Sequence, residues 1–475
     1  MDLILKSLKS NRIVDRRSFI QSLASATAVT ALAMTGCNKH PDVSQDNRPT
    51  QTHEVPEDGM EYRTSSRGDR VSLLGYGCMR WPSKRGKFAA SENEIDQEEV
   101  NRLVDYAIAH GVNFFDTSPV YCKGFSEEAT GIALSRHPRE SYLVSTKLSN
   151  FSPATWSREK SMEMYYNSFK NLKVNYIDYY LLHSIGGGQD AWDRFSKRYL
   201  ENGMLDFLLE ERKAGRIRHL GFSYHGDVRI FDWALAHHDL YHWDMVLIQM
   251  NYVDWHFAKQ INTDNTNAEY LYGELQKHNI PAMVMEPLLG GQLSKLPNHA
   301  SRRLKEMDRS RSVSSWAFRF VGSFPGVMTA LSGMTVMDHL QDNLRSFCHF
   351  QPLDAEQMQI LEQIAEEYAQ FQIIPCTTCQ YCMPCPYGID IPGNFRYFNA
   401  RLHEGNIEQN RQKPEYRKLR HDYLTGLDKK LARERQADHC IGCGICVDSC
   451  PQQIDIPAQL RRIDHYVESL REDVL

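Results

Sequence analysis

Between residues 70 and 348, short apolar, β-rich runs alternate eight times with segments of helical periodicity. Eight of the twelve cysteines then fall in two ladders within the last hundred residues. Together these patterns predict an α/β chain, a (β/α)8 TIM barrel followed by a small, mostly helical domain folded round two metal clusters. An open, doubly wound sheet is the alternative for the first part, but no G-x-G-x-x-G turn follows the first strand. The expected divisions are a signal segment at 1–37, a polar linker at 38–58, the barrel at 59–350 and the cluster domain at 351–475.

The signal segment begins Val14-Asp15-Arg16-Arg17-Ser18-Phe19-Ile20 and continues as a short run of small and apolar residues to Gly36. That run is too short and too weakly apolar to span a bilayer, so it reads as a cleavable signal. The arginine pair resembles a twin-arginine signal, which exports proteins already folded and would suit clusters inserted in a reducing cytoplasm. The expected location is therefore periplasmic. Met34-Thr35-Gly36-Cys37 resembles a lipobox in which Met34 replaces the usual leucine, making Cys37 a candidate lipid anchor; ordinary cleavage nearby is the alternative. Residues 38–56 are nearly devoid of apolar side chains and read as a tether.

Overall composition is that of a globular protein, with 475 residues, 41% hydrophobic and 24% charged. A net charge of −5 argues against nucleic acid as the main partner. The basic stretch Arg411–Arg435 is interrupted by Glu415, Asp422, Asp428 and Glu434, as on a solvated helix face.

The eight expected strands are Val71–Leu74, Asn113–Asp116, Tyr142–Thr146, Ile177–Leu182, His219–Ser223, Met245–Asn251, Ala282–Pro287 and Val327–Ser332. They are apolar along their length, as strands of a parallel sheet covered by helices must be. The helical segments between them carry one apolar face, as in Glu98–Ala109 with Val100, Leu103, Val104, Ala107 and Ile108. Gly111 and Gly215 follow two of these helices as stop signals.

The second ladder, Cys440-Ile-Gly-Cys443-Gly-Ile-Cys446-Val-Asp-Ser-Cys450-Pro451, has the C-x2-C-x2-C-x3-C-P spacing of a bacterial two-cluster ferredoxin. The first, Cys376-Thr-Thr-Cys379-Gln-Tyr-Cys382-Met-Pro-Cys385-Pro386, is one residue shorter before its last cysteine. In such runs three thiolates hold one cubane and the fourth cysteine crosses to the other. The expected ligand sets of the two [4Fe-4S] clusters are therefore Cys376, Cys379, Cys382 and Cys450, and Cys440, Cys443, Cys446 and Cys385. Zinc would favour paired knuckles over triplets closing on Cys-Pro. Disulfides, though compatible with export, would be strained at this spacing. Cys78, Cys122 and Cys348 read as small apolar core residues.

In a (β/α)8 barrel the chemistry sits at the C-terminal ends of the strands. The second strand runs into Asp116-Thr117-Ser118-Pro119-Val120-Tyr121, the third ends at Lys147 and the fourth at His183. Each of these has a bland reading, as a rim aromatic or a satisfied core histidine, but their convergence at consecutive strand ends does not. Over roughly residues 60–350 the chain resembles the aldo/keto reductase superfamily, and with its tail the iron–sulfur-bearing branch of it. The resemblance implies an oxidoreductase that moves a hydride between NAD(P)H and a carbonyl or alcohol. Tyr121 would be the proton donor, Lys147 would lower its pKa, Asp116 would pair with Lys147, and His183 would orient the substrate oxygen.

By the same resemblance, Ser223 and Gln249 stand where the nicotinamide carboxamide binds. Met285, Pro287 and Leu288 follow the seventh strand, with Met285 in place of a stacking aromatic. Gly333 and Asn343 lie toward the adenine end. The family's following Asn is Tyr224 here, and Gly333 and His339 stand where NADPH-specific members carry cations, which favours NADH. The segments after Gly186 and from Tyr252 to Asn267 (Trp255, His256, Phe257), with Trp81, are expected to overhang the mouth and set the substrate pocket; surface packing is the alternative. The alternative function is electron transfer or redox sensing with a partner protein, the barrel serving as a binding module. Oligomeric state and substrate identity have no signal in the sequence.

Overall fold

The computed structural model describes residues 54–84, 95–188, 190–371, 373–405, 407 and 413–472. The signal segment, Cys37, most of the linker and Arg411 lie outside them. Among the described residues no helix is long and apolar enough to cross a membrane.

A short hairpin, β1 (Tyr62–Thr64) and β2 (Arg70–Ser72), precedes the barrel strands β3 (Leu74–Gly77), β4 (Phe114–Asp116), β5 (Leu143–Leu148) and β6 (Ile177–Ile185). The barrel continues with β7 (Ile217–Tyr224), β8 (Met245–Gln249), β9 (Ala282–Met285) and β10 (Val327–Ser332). All eight are parallel, and β10 pairs with β3 to close the ring. The expected first strand, Val71–Leu74, is split between two elements. Arg70–Ser72 belongs to the hairpin, and the barrel strand starts at Leu74. One apolar run serves both, and the break carries no Gly or Pro. Ser72 makes the corner, its N–H donating to Asn113 Oδ1 and its hydroxyl to the Leu74 carbonyl.

Val71 packs into the barrel interior with Phe114, Tyr179, Leu181, Met245, Leu247, Met283, Met328 and Leu331. Outside the ring, the helix Gln97–Ala109 buries Val100, Leu103, Val104 and Ala107, and the Asp96 side chain accepts from the Glu99 N–H at its start. Gly111 beyond its end has φ +89°, and a Cβ there would meet Met60 and the Tyr62 hydroxyl. That close approach seals the helix onto the hairpin.

Helix Ala355–Ala369 buries Leu361, Ile364, Ala365 and Tyr368 in the barrel's own hydrophobic core. The boundary expected at 350 therefore falls one helix later. From Ile374 onward a separate core forms from Ile389, Phe395, Phe398, Tyr423, Leu427, Leu460 and Ile463, and the ladder cysteines pack against it. After each ladder the chain repeats one device, Ile389-Asp390-Ile391-Pro392 and Ile454-Asp455-Ile456-Pro457. Each aspartate caps a helix with proline in its first turn, Ile391–His403 and Ile456–Arg471. The cluster domain is thus an internal two-fold repeat. The helix Tyr416–Lys430 between the halves buries Tyr416, Tyr423 and Leu427 and leaves its charges largely in solvent.

Candidate active site

Asp116 ends β4, Lys147 lies near the end of β5 and His183 in the last part of β6. Parallel pairing, with Asp116 opposite Ser145 and Lys147 opposite Leu181, brings them to one rim. Tyr121 follows β4 on a tight loop in which Cys122 and Lys123 both have positive φ. Lys147 is fully buried, its Nζ 2.5 Å from Asp116 Oδ2 and 2.9 Å from the Thr117 carbonyl. Asp116 Oδ1 accepts from the Ser145 hydroxyl at 2.8 Å, so both carboxylate oxygens are used. The ammonium also lies 4.9 Å from the Tyr121 ring centroid. Burial lowers the Lys147 pKa, and Asp116 opposes that shift.

Tyr121 departs from expectation. Burial, reinforced by the charge of Asp116, pushes its phenol well above 10 instead of down. Asp116 has already neutralised Lys147, leaving little net positive charge for the phenolate. The phenol therefore keeps its proton at neutral pH. His183 moves the other way, held well below 6.5 by burial and then by Lys147 and Arg198, so the ring is neutral. Its Nδ1 lies 2.5 Å from Ser149 Oγ, which contacts Ser118 Oγ at 2.8 Å. A serine donating to Nδ1 places the ring proton on Nε2, the nitrogen left for a substrate. Ser118 and Ser149 were not singled out in the sequence, although both follow strand ends. Arg198, in a π-helical turn Ser196–Leu200, donates to the His183 carbonyl at 2.6 Å and fixes the strand from below.

The residues expected to meet the nucleotide are gathered at neighbouring strand ends, but several are already engaged. The Ser223 hydroxyl accepts from the Ser184 N–H at 2.7 Å, and Asn343 donates to Ser332 at 2.7 Å. Gly333 is backed by the aliphatic stem of Arg80, whose guanidinium turns away to Thr377 and Thr378. Met285 and Leu288 are half-buried and Pro287 is buried. Trp81 is fully buried, with its indole donating to Thr130, and Trp255 packs on Phe324 and Phe320. Trp81 is a core residue, whereas Trp255 is partly exposed and packs against the core's edge. Glu286, not identified from sequence, sits at φ +55° before Pro287 and accepts from the Gly290 N–H; burial raises its pKa, and Arg80 opposes that.

Gln249 donates to Asp254 Oδ2 at 2.8 Å. Asp254 is buried, its Oδ1 has no partner among the described residues, and burial pushes its pKa up from 3.8 to about 6. Such a raised carboxyl favours folding below pH 4, and that advantage is lost as pH rises through 6. The full difference is roughly 3 kcal/mol. Asp254→Asn is therefore expected to raise the melting temperature at pH 8, to keep about half of that gain at pH 5 and to lose it below pH 4. An equal effect at all three values would contradict the buried anion.

Cys376, Cys379, Cys382 and Cys450 line one cavity, walled by Ile391, Phe395, Ile454 and Ile456. The Cys446 thiol is pushed up to about 11 by burial, and Cys440, Cys443 and Cys385 reinforce that shift. The structure thus gathers the first set with its crossing cysteine round one cavity and places Cys385 within electrostatic reach of Cys446. Burial pushes the Cys376 and Cys379 thiols to about 12, so the four sulfurs would be neutral thiols on their own. A cationic iron core fits such a cradle, because it supplies the charge that holds them as thiolates.

The cluster domain covers the barrel mouth. Arg80 donates to the Thr377 carbonyl at 2.6 Å, Lys123 to the Met383 carbonyl at 2.7 Å and Gln292 to the Cys376 carbonyl at 3.3 Å. Tyr381, between Cys379 and Cys382, places its hydroxyl 3.9 Å from Met79 Sδ and adds to the field that keeps Tyr121 protonated. On the other side Gln452 donates to Gln249 Oε1 at 3.2 Å and accepts from Asn262.

Residues 73–366 match the model of the aldo/keto reductase family, and residues 375–454 match that of a 4Fe-4S dicluster domain. The protein tas of Escherichia coli is 25% identical over 36% of this chain and 51% of its own length. The uncharacterized oxidoreductase YqkF of Bacillus subtilis is 21% identical over 58% of this chain and 87% of its own. The chain spans about half the length of the first curated relatives it matches (44% and 51%). Among solved structures, the holo form of aldo-keto reductase AKR11C1 from Bacillus halodurans covers 64% of this chain and 96% of its own, with a TM-score of 0.50 and 22% identity. That likeness speaks for the fold.

Proposed function

The chain belongs to the aldo/keto reductase family and carries an iron–sulfur domain, and on that premise we propose that it is an NAD(P)-dependent reductase of carbonyl compounds, with Tyr121 as the acid. The observation that carries this reading is the intact rim of Asp116, Tyr121, Lys147 and His183, with a protonated phenol beside a neutral imidazole.

The imidazole Nε2–H would hold the carbonyl oxygen beside the Tyr121 hydroxyl. A bound nicotinamide would supply the hydride that reaches carbon. As negative charge grows on oxygen, the Tyr121 proton crosses to it, giving the alcohol and a transient phenolate. Only then does the Lys147 charge matter, since the phenolate is the form it stabilises. Asp116 keeps that ammonium charged where burial alone would strip it. Transfer of deuterium from 4,4-dideuterated NAD(P)H to the carbinol carbon tests the reading, and an unlabelled alcohol would contradict it. Both nucleotides belong in the test.

The clusters are proposed to exchange single electrons with a partner protein, meeting it at the outer ladder. There Cys443 is exposed between Ile441 and Ile445, themselves 64% and 62% exposed. Export through the twin-arginine route, with Cys37 as a lipid anchor in the periplasm, is the companion proposal and rests on Arg16-Arg17 and on the Cys37 context.

A further inference from the structure

Gln249 stands at the end of β8, and its carboxamide is engaged from two sides. Its nitrogen donates to Asp254, and its oxygen accepts from Gln452. Gln452 comes from the turn Pro451-Gln452-Gln453, immediately after the crossing cysteine Cys450. Both glutamines are buried, Gln249 9% and Gln452 4% exposed. The turn contacts two barrel loops directly and a third through one of them. The Gln452 carbonyl accepts from Asn262 after β8, and the Gln453 amide lies so close to Gly226 after β7 that a Cβ there would clash with it. Gly226 in turn abuts the carbonyl of Gly186, after β6.

The group presented to Gln249 is a primary carboxamide, the same group a nicotinamide carries. Two carboxamides cannot donate to one oxygen from one position in a closed, desolvated contact. Resting on the reading of Gln249 as the nicotinamide subsite, we propose that the Pro451–Gln453 turn is a built-in carboxamide mimic that closes this subsite. Nucleotide then binds only as the turn withdraws. Because the turn is covalently continuous with Cys450, a ligand of the inner cluster set, its seating is tied to the integrity of that cluster. Nucleotide access and the state of the iron–sulfur domain are thereby linked through one hydrogen-bonded contact.

The test is binding of NADPH and NADH to the cluster-replete full chain, wild type against Gln452→Ala, with cluster absorbance recorded for each. Gln459→Ala, on the neighbouring helix and away from Gln249, serves as the control. Removing the mimic is expected to tighten nucleotide binding on the order of fivefold, the equivalent of one uncovered hydrogen bond, with Gln459→Ala unchanged. In the wild type, saturating nucleotide is expected to raise hydrogen exchange in residues 451–455 and 262–266. Equal or weaker affinity in Gln452→Ala with intact clusters, or no binding to any variant, overturns the proposal. So does bound nucleotide without a change in exchange. Failure of the reductase reading has its own signature, in which Gln452→Ala binds nucleotide more tightly yet no carbonyl compound is reduced.

Discussion

Replacing Tyr121 by phenylalanine is expected to lower the rate of carbonyl reduction by about 100- to 10,000-fold, the range for loss of a positioned acid. Nucleotide affinity should change little, because none of the contacts at Ser223 or Gln249 involves the phenol. The same assignment fixes a pH dependence. Burial and Asp116 hold the phenol well above 10, so the acid stays protonated as pH rises and the reduction rate should hold level to pH 9. A phenol lowered below 9 would show a falling limb there, whereas an ordinary one would begin to fall only near pH 10. Wild-type turnover in Tyr121→Phe would remove Tyr121 from the chemistry.

The second large effect concerns the crossing of the ladders. Cys450 lies in the second ladder but lines the cavity of Cys376, Cys379 and Cys382, whereas Cys385 lies in the first and neighbours Cys446. Cys450→Ser is therefore expected to impair the inner cluster next to the barrel, and Cys385→Ser the outer one beside the exposed Ile441 and Ile445. Each change should abolish the spin coupling between two reduced clusters in electron paramagnetic resonance and lower iron by about half. The inner loss should also loosen the contacts of Thr377 with Arg80 and of Gln452 with Gln249, which the outer loss spares. If both variants lost the same cluster, or either lost none, the crossed ligand sets would be wrong.

What could be read from the sequence was what local chemistry specifies. Three cysteines at fixed spacing and a proline after the fourth define a cluster ligand run without reference to the rest of the chain. Asp116, Lys147 and His183 were legible because a parallel barrel puts every strand end on one face, so position along a strand becomes position in space. The first strand was misplaced because Val71 and Leu74 are equally apolar and the corner at Ser72 is made by hydrogen bonds to Asn113, forty-one residues away. The direction of the Tyr121 shift was also misread. It depends first on how deeply the fold buries the phenol and then on the nearby charge of Asp116, neither of which residue type fixes.

The cover over the barrel mouth had no signal at all. Gln249 and Gln452 are separated by 203 positions, and neither belongs to a motif that pairs it with the other. Trp81 is buried for the opposite reason, since an aromatic near a strand end is as readily drawn into packing as left at a rim, and Trp255 packs on Phe324 while staying partly exposed.

The most direct measurement is anaerobic mixing of cluster-replete protein with NADH or NADPH and a panel of aldehydes, following nicotinamide and cluster absorbance together. Nicotinamide loss that requires aldehyde, and that disappears in Tyr121→Phe, is the predicted result. Cluster bleaching without any carbonyl compound, or no reaction with either nucleotide, would contradict it and make the barrel a binding module for an electron-transfer or sensing protein.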